Sequence, residues 1–314
     1  MMKEQVIKLI EEYDTIIIHR HNNPDGDAYG SQMGLKRVIE LNYPKKSVYA
    51  VGDENVFNFL GKMDTIEDSF YEGALAIILD VCVKRLISDD RYTLADQVLV
   101  LDHHLNAPDI ECISYIDSSK IACAEMIVDI LTDYQLRFDE QASTAFLAGI
   151  VTDSGRFLYP STQADTLEIA AFLLRRGAKL QWIYGHLYTE ELNFKKLKGY
   201  FINNFKIFKD HIAYMTNTEE VSEMFNVSTF TVSRAMVNQM SGIKGIDAWA
   251  NFTEDGDEVM VELRSKSTPI VAVAKQYGGG GHALACGCNL KSLDEASKLL
   301  EDLHQHIVRS QNNE

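Results

Sequence analysis

The chain is short of positive charge: 30 lysines and arginines stand against 46 aspartates and glutamates over 314 residues, a formal net charge of −16. Nonspecific affinity for a duplex comes mainly from lysine and arginine displacing counterions on phosphates, so a general surface for long duplex nucleic acid is excluded. A small phosphate ligand in a locally basic or metal-loaded pocket is not. Long apolar runs are also missing: none approaches the ~18 residues that a membrane helix needs, and the opening MMKEQVIKLIEEYD has no apolar leader core. A soluble, cytoplasmic protein with no membrane partner is expected. Cysteine is scarce, with Cys82, Cys112, Cys123, Cys286 and Cys288 forming an odd, scattered set. Reduced thiols fit this best, and the lone C-x-C of Cys286 and Cys288 is weak ground for a zinc site.

The hydrophobic fraction, 46%, and the charged fraction, 24%, are ordinary for a folded protein. A single core rarely serves more than ~250 to 300 residues, so two domains are expected. The first half alternates short β-rich runs with helical patterns, the mark of βα units and a mainly parallel sheet. Strands are expected at 15–19 (TIIIH), 47–51 (SVYAV), 74–80 (ALAIILD) and 97–102 (QVLVLD). Amphipathic helices follow in IACAEMIVDILTDY, DEQASTAFLAGIVTD and TQADTLEIAAFLLRRGA.

From 186 to 203 the sequence turns charged and helical, and is expected to connect the first domain, 1–185, to a smaller α/β domain, 204–314. That second domain should hold strand-like FKIFKDHIAYMT, a helix near 228–240, paired strands around a DGD turn, and the Gly-rich GGGGHALACG. A closing helix is expected after Ser292, a candidate N-cap with Glu295 at the capping-box position. The fold class is thus α/β, a mainly parallel N-terminal domain followed by a smaller α/β domain.

Four clusters carry chemistry. HRHNNPDGDA (19–28) crowds His21, Asp25 and Asp27 into one turn. An EF-hand starting at Asp25 would need a bidentate glutamate at its twelfth position, where Lys36 stands. A turn shaped by Pro24 and Gly26, with aspartates capping the helix from Ala28, competes with a catalytic reading. The other clusters decide: LDVCVK with Asp80, LDHHLNAPD with Asp102, His103 and His104, and GIVTDSGRF with Asp153. Two imidazoles beside a carboxylate at a buried strand end are costly to desolvate unless paired or metal-bound. Each cluster closes a predicted strand or helix, and strand ends are where open α/β sheets bind ligands. A dinuclear metal site is expected.

As a set these motifs, with Arg264-Ser265-Lys266 and GGGGHALACG downstream, resemble the DHH phosphoesterases that carry a DHHA1 domain, over nearly the whole chain. The resemblance implies that His21, Asp25 and Asp80 hold one divalent ion, that Asp27, Asp80, His104 and Asp153 hold a second, and that Asp80 bridges them. A carboxylate-rich set with only two histidines suits Mn²⁺ better than a thiolate zinc site. Asp102 would orient a neighbouring imidazole, and His103 would contact the scissile phosphate or protonate the leaving oxygen. His19 would belong to the supporting strand end.

In the second domain, Gly278 to Gly281, with His282, Arg264, Ser265 and Lys266, would form an anion pocket. Gly279, Gly280 and Gly281 would let backbone approach the phosphate, and arginine would fork onto it. Length and motif order resemble stand-alone bacterial members that hydrolyse short oligoribonucleotides to mononucleotides and 3′-phosphoadenosine 5′-phosphate (pAp) to AMP. Short oligoribonucleotides and small nucleotides are therefore the expected partners, and a homodimer is compatible with the sequence. A phosphodiesterase for cyclic di-AMP or pApA is the rival enzyme, and a non-catalytic nucleotide sensor the rival from another class.

Overall fold

Five short strands run parallel in one sheet of the first unit, in the order 47–50, 15–20, 75–79, 97–102 and 113–116. The computed structural model describes residues 2–311 and divides into two units between Thr189 and Glu190. The first unit holds α1 (Met2–Glu12), β1 (Thr15–Arg20), α2 (Gly26–Asn42), β2 (Ser47–Ala50), β3 (Leu75–Leu79), β4 (Gln97–Asp102), β5 (Ile113–Ile116), α3 (Cys123–Asp133), α4 (Glu140–Asp153), α5 (Ala164–Arg175) and α6 (Leu180–Leu187). The central β3, LAIIL, is buried at every position, which is why it reads as a continuous apolar run rather than an alternating one.

The two faces of this sheet are covered differently. Ile16, Ile18, Leu75 and Ile77 face a core built with α1 to α6. Ile17, Ala76, Ile78 and Val100 face Tyr71 and Tyr92, which come from short 3-10 turns rather than α-helices. The expected strands are present within one or two residues of their bounds. β5 was not anticipated, because ISYI is a half-exposed edge strand of only four residues.

The closest helix contact is antiparallel, α2 on α4. It rests on glycines spaced four apart on α2. A Cβ on Gly30 would lie 2.4 Å from the Ala145 carbonyl oxygen, and one on Gly34 would lie 2.8 Å from the Phe146 ring. This approach brings the first turn of α2, with Asp27, beside the last turn of α4, which ends on Asp153.

The second unit comprises α7 (Leu192–Asn204), β6 (Lys206–Phe208), β7 (Ile212–Asn217), α8 (Glu219–Phe225), β8 (Ala248–Asp255), β9 (Glu258–Ser265), α9 (Val271–Gln276), β10 (Gly280–Gly281), β11 (Ala285–Leu290) and α10 (Ala296–Gln311). Its six strands are ordered β10-β11-β9-β8-β7-β6, with only β7 and β8 parallel. The stretch expected as a connecting helix is interrupted after Leu187, and α7 buries Leu197 and Phe201 in the core of the second unit.

Near 228–240 a π-helical turn (Thr231–Ala235) and a 3-10 turn (Val237–Met240) replace the expected helix. The segment is rich in β-branched residues, and the Asn251 side chain donates to the carbonyls of Val232 and Ser233, which a regular helix would use itself. Before the last helix the Ser292 side chain makes no cap bond and Glu295 accepts from the Lys291 N–H rather than from that of Ser292, so the expected capping box does not form.

Gly30→Ala should cost about 1 to 3 kcal/mol of stability, because its methyl meets backbone that cannot rotate away. Urea unfolding would measure this. Unchanged stability would mean that α2 and α4 can separate freely.

Candidate metal centre

The strand ends bring the predicted clusters together in the first unit. β1 runs into His21, whose Nδ1 donates to the Asn22 carbonyl at 2.7 Å, leaving Nε2 facing 3.8 Å to Asp25 and 3.5 Å to Asp80. Asp25 is also the N-cap of α2, with Oδ1 accepting from the N–H groups of Asp27 and Ala28 at 3.0 Å each. The capping reading of this turn therefore holds, and the cap does not exclude a ligand role for Asp25.

At the end of β3, Asp80 takes a left-handed backbone (φ 59), a conformation that aspartate tolerates better than most residues, and its side chain is buried. Its two oxygens address two groups. Oδ2 faces His21, and Oδ1 lies 3.3 Å from His103 Nε2. Asp27 is fully buried. Its Oδ2 accepts from the Cys123 N–H at 2.6 Å and its Oδ1 from Ala124 at 2.9 Å, so a residue of α2 caps α3, whose own N-cap, Ala122, has no side chain to do so.

The two histidines are held by different partners. His103 Nε2 lies 3.5 Å from Asp153 and 3.9 Å from Asp27, while its Nδ1 donates to the Lys120 carbonyl at 3.3 Å. His104 turns the other way. Its Nδ1 is 2.8 Å from Asp102 Oδ1, and its side chain is 51% exposed. Both imidazoles border the buried Asp80, from whose Oδ1 His104 Nδ1 lies 3.6 Å, but His103 is the one placed beside Asp27 and Asp153. Asp102 orients its neighbour as anticipated, and that neighbour is His104.

Three sets of donor atoms lie within 4.8 Å of one another: His21, Asp25 and Asp80; Asp27, His103 and Asp153; and Asp80, His103 and His104. Asp80 Oδ1 and His103 Nε2 are buried without a hydrogen-bond partner. Buried polar atoms are rarely left so, and two facing acceptors with a shared gap fit a cation. The residues therefore suit the metal dependence of the family.

Electrostatics say the same of the ion-free chain. Burial and the charges of Asp25 and Asp80 push Asp153 up to about 7, and burial with Asp80 and Asp153 raises Asp27 well above its usual range. Burial alone would lower the two inner histidines. The carboxylates outweigh it, holding His21 up to about 10 through Asp25 and Asp80, and His103 up to about 10 through Asp80, Asp27 and Asp153.

The predicted residues of the second unit are placed less simply. Arg264 Nη1 pairs with Glu262 at 2.9 Å and donates to the Leu263 and Cys286 carbonyls, so only part of its fork is left for a phosphate. Ser265 is buried, its hydroxyl donating to the Thr268 carbonyl, whereas Lys266 and His282 are exposed. Gly279 and Gly281 are demanded by packing first. A Cβ on Gly279 would lie 2.1 Å from the Gly287 oxygen, and Gly281 has φ 131. Around Gly280 there is open space. Cys286 and Cys288 share one side of β11 and lie buried in the core, which removes the zinc reading.

Sequence reasoning missed the backbone supports at Lys120, Cys123 and Ala124. An alanine at a helix N-cap was the available signal, since an uncapped buried helix start needs a partner from elsewhere.

In chelator, the native His21 and His103 hold protons that the unfolded chain releases between pH 6.5 and about 10. Their stabilisation is complete below pH 6.5 and is lost as pH rises through that window. Asp153 acts with the same sign between its ordinary 3.8 and about 7. Thermal melts of the ion-free protein should therefore fall as pH is raised from 6.5 toward about 10, and excess divalent ion should flatten the fall by replacing those protons. A flat profile in chelator would contradict the carboxylate-histidine pairing.

Among the described residues no helix is long and apolar enough to cross a membrane. A model of the DHH family, N-terminal domain, matches residues 15–151, and one of the DHHA1 domain matches residues 221–309. The chain is 36% identical over 306 residues to the bifunctional oligoribonuclease and PAP phosphatase NrnA of Bacillus subtilis, covering 96% of this chain and 97% of that protein. It is 38% identical over 304 residues to a probable protein of the same name from Streptococcus mutans, covering 96% of each. A solved exopolyphosphatase-related protein from Bacteroides fragilis shares the fold, with a TM-score of 0.77 at 24% identity over 96% of this chain and 95% of that one. With its acidic turn, strand-end aspartate, histidine pair and helix-end aspartate converging as they do, the chain belongs to the DHH phosphoesterase family, as a member that carries a DHHA1 domain.

Proposed function

We propose that the chain hydrolyses short oligoribonucleotides to mononucleotides, and pAp to AMP and phosphate, with two divalent ions. The observation that carries this reading is Asp80, whose two oxygens face two separate donor groups, His21 with Asp25 on one side and His103 with Asp27 and Asp153 on the other. The near end-to-end similarity to proteins named for both activities supports the choice of substrates. Both reactions break a bond between phosphorus and a 3′ oxygen, so one centre serves both.

His21, Asp25 and Asp80 would hold one ion, and Asp27, Asp80, His103 and Asp153 the other. When bound, the pair, for which this oxygen-rich donor set favours Mn²⁺, would polarise the phosphoryl oxygens and lower the pKa of an attacking water. The chain's own contribution begins with exclusion and orientation. Asp27 and Asp80 are buried, so their positions are set by packing and hydrogen bonds. His104 is the proton carrier in this reading. Asp102 bonds its Nδ1 and raises its pKa, which leaves a half-exposed Nε2–H to donate to the departing 3′ oxygen. A cavity of about 270 Å³, lined by His21, Asp25, Asp80, Asp102 and His104, gives that proton a path to a phosphoryl group. In the second unit, the exposed Lys266, His282 and open Gly280 are the candidates for anion contact.

A panel of pAp, diribonucleotides, pApA and cyclic di-AMP, assayed with Mn²⁺ and after chelation, tests the reading. Turnover of the first two, lost on chelation, is expected; preference for the cyclic dinucleotide would transfer the assignment to the rival phosphodiesterase. His103→Ala should lower ion affinity and turnover together, whereas His104→Ala should leave ion affinity within about 3-fold and cut kcat by ~10² or more. The opposite pattern would restore the roles to the other histidines.

A further inference from the structure

Glu125 stands in the first turn of α3, 2% exposed, and takes no part in the chemistry above. A carboxylate in an apolar interior is costly unless its oxygens are occupied, and here they are. Oε2 accepts from the Ile121 backbone N–H at 3.3 Å and from the Thr166 hydroxyl of α5 at 3.0 Å. Oε1 lies 3.9 Å from Lys120 Nζ, which also reaches Asp129 at 3.2 Å. Glu125 thus ties down the two residues that lead into the start of α3, and α5 holds it from behind.

That short segment supports half of the metal centre. The Lys120 carbonyl accepts from His103 Nδ1, which fixes the tautomer and turns Nε2 toward Asp27, Asp80 and Asp153. The N–H groups of Cys123 and Ala124 hold the two oxygens of Asp27. The other half is held independently. His21 is oriented by the Asn22 carbonyl, and Asp25 by the first N–H groups of α2.

We propose that Glu125 is a positioning residue for one of the two ions, the one held by Asp27, His103 and Asp153, and not for the ion held by His21 and Asp25. It acts through the Lys120 carbonyl and the α3 N–H groups and touches neither substrate nor ion. Loss of Glu125 frees the 120–124 segment, so that the His103 ring and the Asp27 carboxylate lose their common aim. A core polar group with a merely structural role would instead weaken the whole domain without choosing between ions. The inference rests on the two-ion reading above.

Titration calorimetry of the full, ion-free chain with Mn²⁺ separates the cases, with Asp25→Ala and Asp153→Ala identifying which ion is which. In Glu125→Ala the ion lost in Asp153→Ala should weaken by about 10- to 100-fold, the usual effect of removing an outer support. The other ion should stay within about 3-fold. With diamagnetic Mg²⁺ bound, nitrogen NMR of the histidines should show the His103 Nδ1–H tautomer mixed in that variant and single in the wild type.

Glu125→Gln keeps an oxygen for Ile121 and Thr166 and should bind both ions like the wild type. Thr166→Val leaves Glu125 in place and should weaken the same ion by a smaller factor. These two variants carry the test if Glu125→Ala does not fold. Two ions in the wild type with both weakened equally, or neither, in Glu125→Ala and Thr166→Val would overturn the role of Glu125. A wild type that binds a single ion would overturn the two-ion reading and this inference with it.

Discussion

Much of the first unit depends on where the Asp27 carboxylate lies. It is wholly buried, it accepts from the first two N–H groups of α3, and it stands among other carboxylates that raise its proton affinity. A helix start buried without a cap would leave unsatisfied donors, so α3 requires Asp27 as much as the centre does. Three helices meet at this point: α2 supplies the carboxylate, α3 supplies the donors, and α4 supplies Asp153. The glycines of α2 let α4 come close enough for the last of these.

The cost of crowding acids explains why the site is built on rigid parts. Asp27, Asp80 and Asp153 each oppose the ionisation of a neighbour, and in the ion-free chain the two inner histidines offset the repulsion by holding protons. Such an arrangement stays aimed only if its supports do not relax. The supports are helix N–H groups, a strand-end turn and backbone carbonyls, all of which are set by packing. The wider acidity of the protein, with a net charge of −16, is compatible with a site for short anionic ligands because divalent ions invert the local field.

Legibility differed between the two halves of the chain. The strands around Ile16, Ile77 and Leu99 were readable because buried parallel strands are dense in branched apolar residues, and the motifs sit at their C-terminal ends. β5 was not readable, since a short edge strand draws its order from pairing with β4 rather than from its own pattern. In the second unit the segment near Thr231 has helical spacing, yet Asn251, almost twenty residues away, takes the carbonyls that an α-helix would need. The Gly-rich stretch looked like a phosphate cradle. Gly279 and Gly281 turn out to be needed for the approach of β10 to β11.

The donor types of the centre were legible in the sequence alone, because residue types and their place at strand and helix ends do not depend on the details of packing: the aspartates and histidines at 21, 25, 27, 80, 103, 104 and 153 are groups that could hold a metal. Only the tertiary structure decided which of two adjacent histidines lies beside Asp27 and Asp153. His103 and His104 are equivalent as letters. The distinction comes from the Lys120 carbonyl that takes one ring and from Asp102 that takes the other. It likewise decided that Asp27 is held by α3, since a contact between residues almost a hundred positions apart exists only once the helices have packed.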